Sequence, residues 1–219
     1  MANTLQESGV SAVLDTMYRA ADDQLASLRE RHNEFERPMT VRERSEAMSE
    51  FYIPVTRDAG RLLYSLVRAT RPATVVEFGM SFGISAIHLA AAVRDNGAGR
   101  VITTELSESK IAAASRTFSE TGLDAVIEIL EGDALSTLTA LDGPVDFVLL
   151  DGWKDLYHPV IKLLEPSLST GALVVADNAE AADMRPYLDY VRDPGNGYVS
   201  FNFPGRERDS MELSCRVGI

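Results

Sequence analysis

From residue 73 onward the chain alternates strand-like and helix-like segments with little between them, and that alternation limits its fold more than any other feature. "ATVVEFG" (73–79) is a β-branched run closed by Gly. "ISAIHLAAAVRD" (84–95) reads as a helix, "GRVITTEL" (99–106) as a strand, and "SESKIAAASRTFSETG" (107–122) as a helix with a Ser cap and a Gly stop. "AVIEILEGD" (125–133), "VDFVLLDG" (145–152) and "GALVVADN" (171–178) continue the strands. A short helix near 134–141 and a longer one over "WKDLYHPVIKLLEPSL" (153–168) fall between them. Strands joined through helices form right-handed βαβ units, hence a parallel sheet covered on both faces. The tail departs from this pattern. "GYVSFNFP" and "MELSCRV" are separated only by "GRERDS", too short for a crossover helix, so an antiparallel hairpin is expected. The fold class is therefore α/β: a Rossmann-like, doubly wound, mostly parallel seven-stranded sheet finished by a C-terminal antiparallel hairpin.

The first 70 residues follow a different grammar and read as a helical extension or cap on a domain spanning 71–219, the two forming one structural unit. Val13, Leu14, Met17 and Tyr18 have helical spacing, and "TVRE" (Thr40 to Glu43) has the form of a capping box. "TRDAGRLLYSLVRA" puts Ala59, Leu62, Leu63, Leu66 and Val67 on one stripe, and Pro72 ends that helix. A substrate lid and a dimer arm are both open as roles for this region, so a homodimer is among the expected assemblies. The formal charge of −12 argues against a nonspecific nucleic-acid binder. The single cysteine, Cys215, excludes a disulfide framework and a cysteine-rich zinc site. With no signal-peptide pattern and no apolar run near the roughly 18 residues of a membrane span, a cytoplasmic protein with no membrane partner is expected.

Ligands of open α/β sheets bind beyond the carboxyl ends of the strands. The first strand ends "EFGMSFGIS", bringing Glu77, Gly79, Gly83 and Ser85 to a turn whose glycines admit a ligand and whose helix start favours an anion. Its G-x-x-x-G spacing is not the dinucleotide fingerprint. The second strand ends in Glu105, suited to ribose hydroxyls, or else a carboxylate stabilised by the helix dipole. The third ends "EGDA", where Asp133, next to Ala134, could accept from an adenine amine or simply cap a helix. These strand ends describe a pocket for an adenosine-bearing ligand without a pyrophosphate clamp, and S-adenosylmethionine fits that description.

Two later strands end in acid: "VDFVLLDGWK" and "ALVVADN". Asp151, Asp177 and Asn178 form an oxygen set without His or Cys, suited to a hard divalent cation such as Mg²⁺. Lys154 beside such a cation would be pushed toward its neutral form and could accept a hydroxyl proton. The alternative is a pair of separate N-caps and a surface lysine. His32, His88 and His158 have no partner at metal spacing.

On these residues the chain resembles the catechol O-methyltransferase family of class I S-adenosylmethionine-dependent enzymes, from about Phe51 to the C-terminus. "EFGMSFGIS" resembles the family's methionine-binding turn, "TTEL" its ribose-binding strand end, "LDGWKDLY" its "LDHWKDRY" segment, and "ADN" its second metal-ligand pair. The resemblance implies Glu77, Gly79, Ser85 and Glu105 as cofactor contacts and Asp151, Asp177 and Asn178 as metal ligands. It implies Lys154 as general base and Trp153 as a contact to cofactor or substrate. "RDSMELSCRV" resembles the final strand, which implies Met211 and Glu212 at the substrate, with Glu212 holding one hydroxyl. Phe51 falls at the family's aromatic gate, with Ile53 beside it at the entrance. The implied acceptor is a phenolic, catechol-like small molecule. Departures are Gly152 in place of the family's His, which leaves space open, Met80 and Ser81 in the turn, and Ala182 in place of a Pro. Rival readings are a metal-independent methyltransferase with a His base, an NAD-dependent oxidoreductase and a non-catalytic S-adenosylmethionine-binding protein.

Overall fold

The computed structural model describes residues 3–31, 38–204 and 209–218; His32 and most of the "GRERDS" loop lie outside them. The sheet carries strands β1 (Thr74–Phe78), β2 (Arg100–Glu105), β3 (Ile127–Glu131), β4 (Val145–Leu150), β5 (Leu168–Ala176), β6 (Tyr198–Pro204) and β7 (Ser210–Arg216). Their spatial order is β3-β2-β1-β4-β5-β7-β6. β1 through β5 pair in parallel, whereas β7 inserts antiparallel between β5 and β6. The direction of strand progression reverses between β1 and β4, so the crevice for a ligand opens above their carboxyl ends.

Helices cover both faces. They are α1 (Ser8–Glu30), α2 (Val41–Ala47), α3 (Arg57–Thr70), α4 (Ile84–Asn96), α5 (Glu108–Thr121), α6 (Ala134–Thr137), α7 (Tyr157–Leu164) and α8 (Arg185–Arg192). Val10, Leu14, Met17 and Tyr18 of α1 share one core with Val75 and Phe147 of the sheet and Leu63 and Val67 of α3. The N-terminal helix is thus packed into the sheet's own core. The opposite face buries Val76, Val148 and Val174 beneath Tyr157, Ile161, Tyr187 and Val191. None of the helices among the described residues is long and apolar enough to cross a membrane.

The local signals act as their chemistry requires. Thr40 and Glu43 form the reciprocal capping box of α2. Ser107 caps α5 and Gly122, left-handed at φ 65°, ends it. Two boundaries differ from the sequence reading. The segment 153–168 is a short α-helix flanked by 3₁₀ turns at Lys154–Leu156 and Glu165–Ser167, because Pro166 cannot extend it. β5 consequently starts at Leu168, earlier than its apolar run suggests. The sequence reading also passed over α8, which packs on β6 and reaches Glu212 of β7 through Arg192.

The crevice floor depends on a close backbone approach. Gly79 follows β1 with φ 97°, and a Cβ there would lie 2.6 Å from both the N and Cα of Gly152 at the end of β4. Backbone cannot swing aside as a side chain would, and the left-handed conformation adds its own penalty. Gly79→Ala is expected to cost about 2–4 kcal/mol in denaturant unfolding; a loss below about 0.5 kcal/mol would mean that the strand ends do not meet in this way.

Candidate functional site

Two chambers open above the strand ends and share one residue. The first, about 340 Å³, is lined by Gly79, Ser81, Glu105, Asp133, Asp151 and Lys154 among others. Ala134, Trp153 and Ile53 complete its walls, and Val41, Ser45 and Met48 of α2 and the turn after it close over it. The second, about 490 Å³, is lined by Pro54, Ala59, Leu62, Phe203, Pro204 and Met211, with Asp177 and Asp209 at its polar end. Asn178 lines both. Volumes of this size suit small organic ligands.

Along the first chamber, the Glu105 carboxylate is fixed by three backbone amides. Leu106 and Ser107 donate to Oε1, each at 2.8 Å, and Ser81 donates to Oε2 at 2.8 Å. Ser81 reaches this bond from a left-handed conformation, φ 51°. Asp133 accepts from Leu135 N at 2.9 Å, so it caps α6 while still facing the chamber. Gly83 and Ser85 are buried beneath the turn, Gly83 against the Phe118 ring, and line neither chamber. Glu77 is also fully buried under the floor. Thr103 Oγ1 donates to its Oε2, and among the described residues no hydrogen bond of ordinary geometry reaches Oε1. Burial pushes the Glu77 carboxyl up to about 7; the neighbouring Ser85 and Thr103 hydroxyls pull it down and Glu105 adds a small upward push.

At the seam between the chambers, Asp151 is held well above the usual carboxylate range. Burial is the main cause, Lys154 opposes it, and the charges of Asp177 and Glu77 add to it. Lys154 Nζ stands 3.6 Å from Asp151 Oδ1 and donates to Tyr157 Oη at 2.7 Å. Tyr157 in turn donates to the Asp177 carbonyl at 3.3 Å. Burial first, then the charges of Asp151 and Asp177, keep the Tyr157 phenol protonated. Asn178 adopts φ 58°, and its Nδ2 donates to Asp209 Oδ2 at 2.7 Å, which leaves its carbonyl oxygen as the atom available to a ligand. Among the described residues no cluster of three or more His, Cys, Asp or Glu could hold a metal. The candidate set is instead two carboxylates and one amide oxygen, with acidic charge in excess, and a hard cation fits that chemistry.

Several expected contacts are not brought to the crevice. Glu212 faces the opposite side of the sheet, where Arg192 of α8 donates to both its oxygens at 2.7 Å. In a strand successive side chains alternate faces, so Met211 points into the second chamber and Glu212 cannot. Phe51 is buried, with the Arg31 guanidinium 5.1 Å from its ring centroid, and lines neither chamber. Ile53, the other entrance residue, does line the first chamber, whereas its neighbours Tyr52 and Val55 pack on Phe82 and in the core. The space expected at Gly152 is filled, because a Cβ there would lie 2.6 Å from the Phe78 ring. The sequence reading missed Tyr157, Asp209 and Lys110. Tyr157 had a visible signal, since it lies one helical turn beyond Lys154.

A doubly wound sheet of this order, with a glycine turn after β1 and an antiparallel hairpin at its end, is a Rossmann-like fold of the kind methyltransferases share. A family model described as "Methyltransferase domain" matches residues 76–179. Catechol O-methyltransferase B of Danio rerio is 28% identical over 181 residues, 77% of this chain and 67% of that protein. A catechol O-methyltransferase of Mycobacterium tuberculosis is 32% identical over 127 residues, 58% of this chain and 57% of that protein. The matched stretches span from 52% to 78% of the mammalian catechol O-methyltransferases. Among solved structures, a cofactor-bound protein from MTB has a TM-score of 0.72 at 24% identity, over 97% of this chain and 93% of that one. The O-methyltransferase from Bacillus cereus in complex with SAH has a TM-score of 0.68 at 18% identity, over 90% and 99%. These two are likenesses of fold. The chain is thus similar in sequence to catechol O-methyltransferases, and over about half its length to a methyltransferase domain.

A carboxyl whose folded pKa is raised stabilises the fold fully below its unfolded value, here 4.5, and loses that contribution as pH rises through about 7. The ligand-free protein should therefore lose thermal stability across that window. Glu77→Gln should make the decline shallower in a series of melts; an unchanged slope would show that Glu77 ionises without cost.

Proposed function

We propose that the protein transfers a methyl group from S-adenosylmethionine to a hydroxyl of a catechol-like aromatic acceptor, with a divalent cation held by Asp151, Asp177 and Asn178. The observation that carries this reading is the position of Asn178 in the wall of both chambers, with Asp151 and Lys154 on one side and Asp177 on the other. The first chamber takes the cofactor, whose adenosyl part lies against Glu105, Asp133 and Ala134. Asp151 and Asp133 in its walls suit a ligand that carries positive charge. The second chamber takes the acceptor, its ring against Leu62, Phe203 and Met211.

A divalent cation at the three oxygens would lower the pKa of an acceptor hydroxyl. Lys154 Nζ is the group positioned to receive that proton. Its bond to Tyr157, itself anchored on the Asp177 carbonyl, fixes the amine relative to the ligand set. Asp209 orients the Asn178 amide, as outer partners of metal ligands commonly do. The family's substrate-holding carboxylate has no counterpart at Glu212, so selection of the reacting hydroxyl falls to the chamber walls. A metal-independent route through His158 has no support, because that ring packs on Tyr190, 5.1 Å between centroids, and lines neither chamber.

Methyl transfer to catechol-bearing acceptors should vanish in EDTA and return with Mg²⁺; turnover indifferent to EDTA would sink the metal assignment and leave the cofactor site standing. Lys154→Met should lower kcat by about 10²- to 10⁴-fold, the usual range for loss of a general base, and a smaller loss than tenfold would reassign the base. Glu212→Gln should instead reduce stability by about 1–3 kcal/mol through its buried hydrogen bonds and leave kcat within about threefold. A large drop in kcat at preserved stability would return Glu212 to the reaction.

A further inference from the structure

The first chamber contains a second ammonium that methyl transfer as described does not use. Lys110 lies in the first turn of α5, is 5% exposed, and lines the chamber beside Ser81, Glu105 and Leu106. Its placement runs against two general preferences. A cation near a helix N-terminus opposes the helix dipole, and a buried ammonium must have its donors satisfied. Among the described residues neither demand is fully met. Nζ donates there to Ser81 Oγ at 3.2 Å and stands 5.4 Å from the Phe82 ring centroid. Burial lowers its pKa and Glu105 only partly restores it.

Lys110 and Glu105 complement one another. All three hydrogen bonds that Glu105 accepts come from backbone amides, and one of those donors, Ser81, is also the residue that holds Lys110. The carboxylate can only accept; the ammonium can only donate. A sugar hydroxyl does both, so it satisfies a pair of this kind where a carboxylate ligand would be repelled by Glu105. We propose that Lys110 is a cofactor-binding residue that donates to a ribose oxygen of S-adenosylmethionine, so that the sugar is held by the Lys110–Glu105 pair. The proposal rests on the first chamber being the cofactor site.

The test is isothermal titration of wild type and Lys110→Met with S-adenosylhomocysteine and with its 2′-deoxy and 3′-deoxy analogues. The variant should bind S-adenosylhomocysteine about tenfold or more weakly, as expected for loss of a charged hydrogen bond. With the analogue lacking the contacted hydroxyl, wild type and variant should bind within about twofold of each other, because the interaction is already gone. Lys110→Arg should retain most of the affinity. Should Lys110→Met fail to fold, Lys110→Gln, which keeps a shorter donor, takes its place in the same cycle. Affinity for S-adenosylhomocysteine within twofold of wild type would overturn the proposal. An equal loss with all three ligands would overturn it as well and move Lys110 away from the sugar. Absence of any binding by wild type would overturn the cofactor reading itself, and Lys110 with it.

Discussion

The site is organised around acids gathered at neighbouring strand ends, two of which burial holds above the usual carboxylate range. Glu77 lies beneath the floor in β1, Asp151 follows β4 and Asp177 follows β5, with Lys154 Nζ 3.6 Å from Asp151. Burial raises both Glu77 and Asp151, and each feels other acids in the same direction. Groups in this condition either take up protons or wait for cations. In the proposed function, S-adenosylmethionine would bring an ammonium and a sulfonium, and a divalent metal the remainder. The fold thus carries a local cost of charge that its ligands relieve, a common arrangement at functional sites. The left-handed conformations of Ser81 and Asn178 belong to the same pattern, since both sit at chamber walls and both are held by hydrogen bonds to acids.

Why those acids converge follows from topology. β1 and β4 are neighbours only because the chain reverses its direction of strand progression there, and the backbones of Gly79 and Gly152 then meet in van der Waals contact. The floor is consequently thin. Phe78 fills the side of Gly152 and stacks edgewise on Tyr157, 6.1 Å between centroids, so the phenol that orients Lys154 rests on the same ring that replaces a side chain at Gly152.

Strand ends were legible in the sequence because an apolar run stopping at an acid leaves that acid at the sheet's carboxyl edge whatever the details. Glu105, Asp151, Asp177 and Asn178 were found in this way, and all reach a chamber. What could not be read was which way a residue faces inside an element. Met211 and Glu212 are adjacent, and one residue of parity decides between the acceptor chamber and a salt bridge to Arg192. Phe51 and Ile53 divide similarly. Arg192 lies on α8, a helix whose apolar signal rests on few residues, so nothing in the sequence announced a partner for Glu212. Lys110 did leave a trace, a lysine in the first turn of a helix where an acid is the favoured residue. That trace acquires meaning only once the side chain is seen to be buried.

The N-terminal segment gives the last constraint. α2 roofs the first chamber, and Arg44 fastens it to the turn that carries the proposed base. Its guanidinium donates to both oxygens of Asp155, each at 2.9 Å, and lies 4.8 Å from the Trp153 ring centroid. Asp155 and Trp153 flank Lys154 directly, so the roof is tied to the proposed base and not to the sheet. The Asp155 side chain is 45% exposed, and an ion pair in such a setting contributes on the order of 1 kcal/mol or less. A stacked guanidinium adds about as much again. Together these contacts are strong enough to favour a covered chamber and weak enough for thermal opening, as the exchange of cofactor in the proposed function would require.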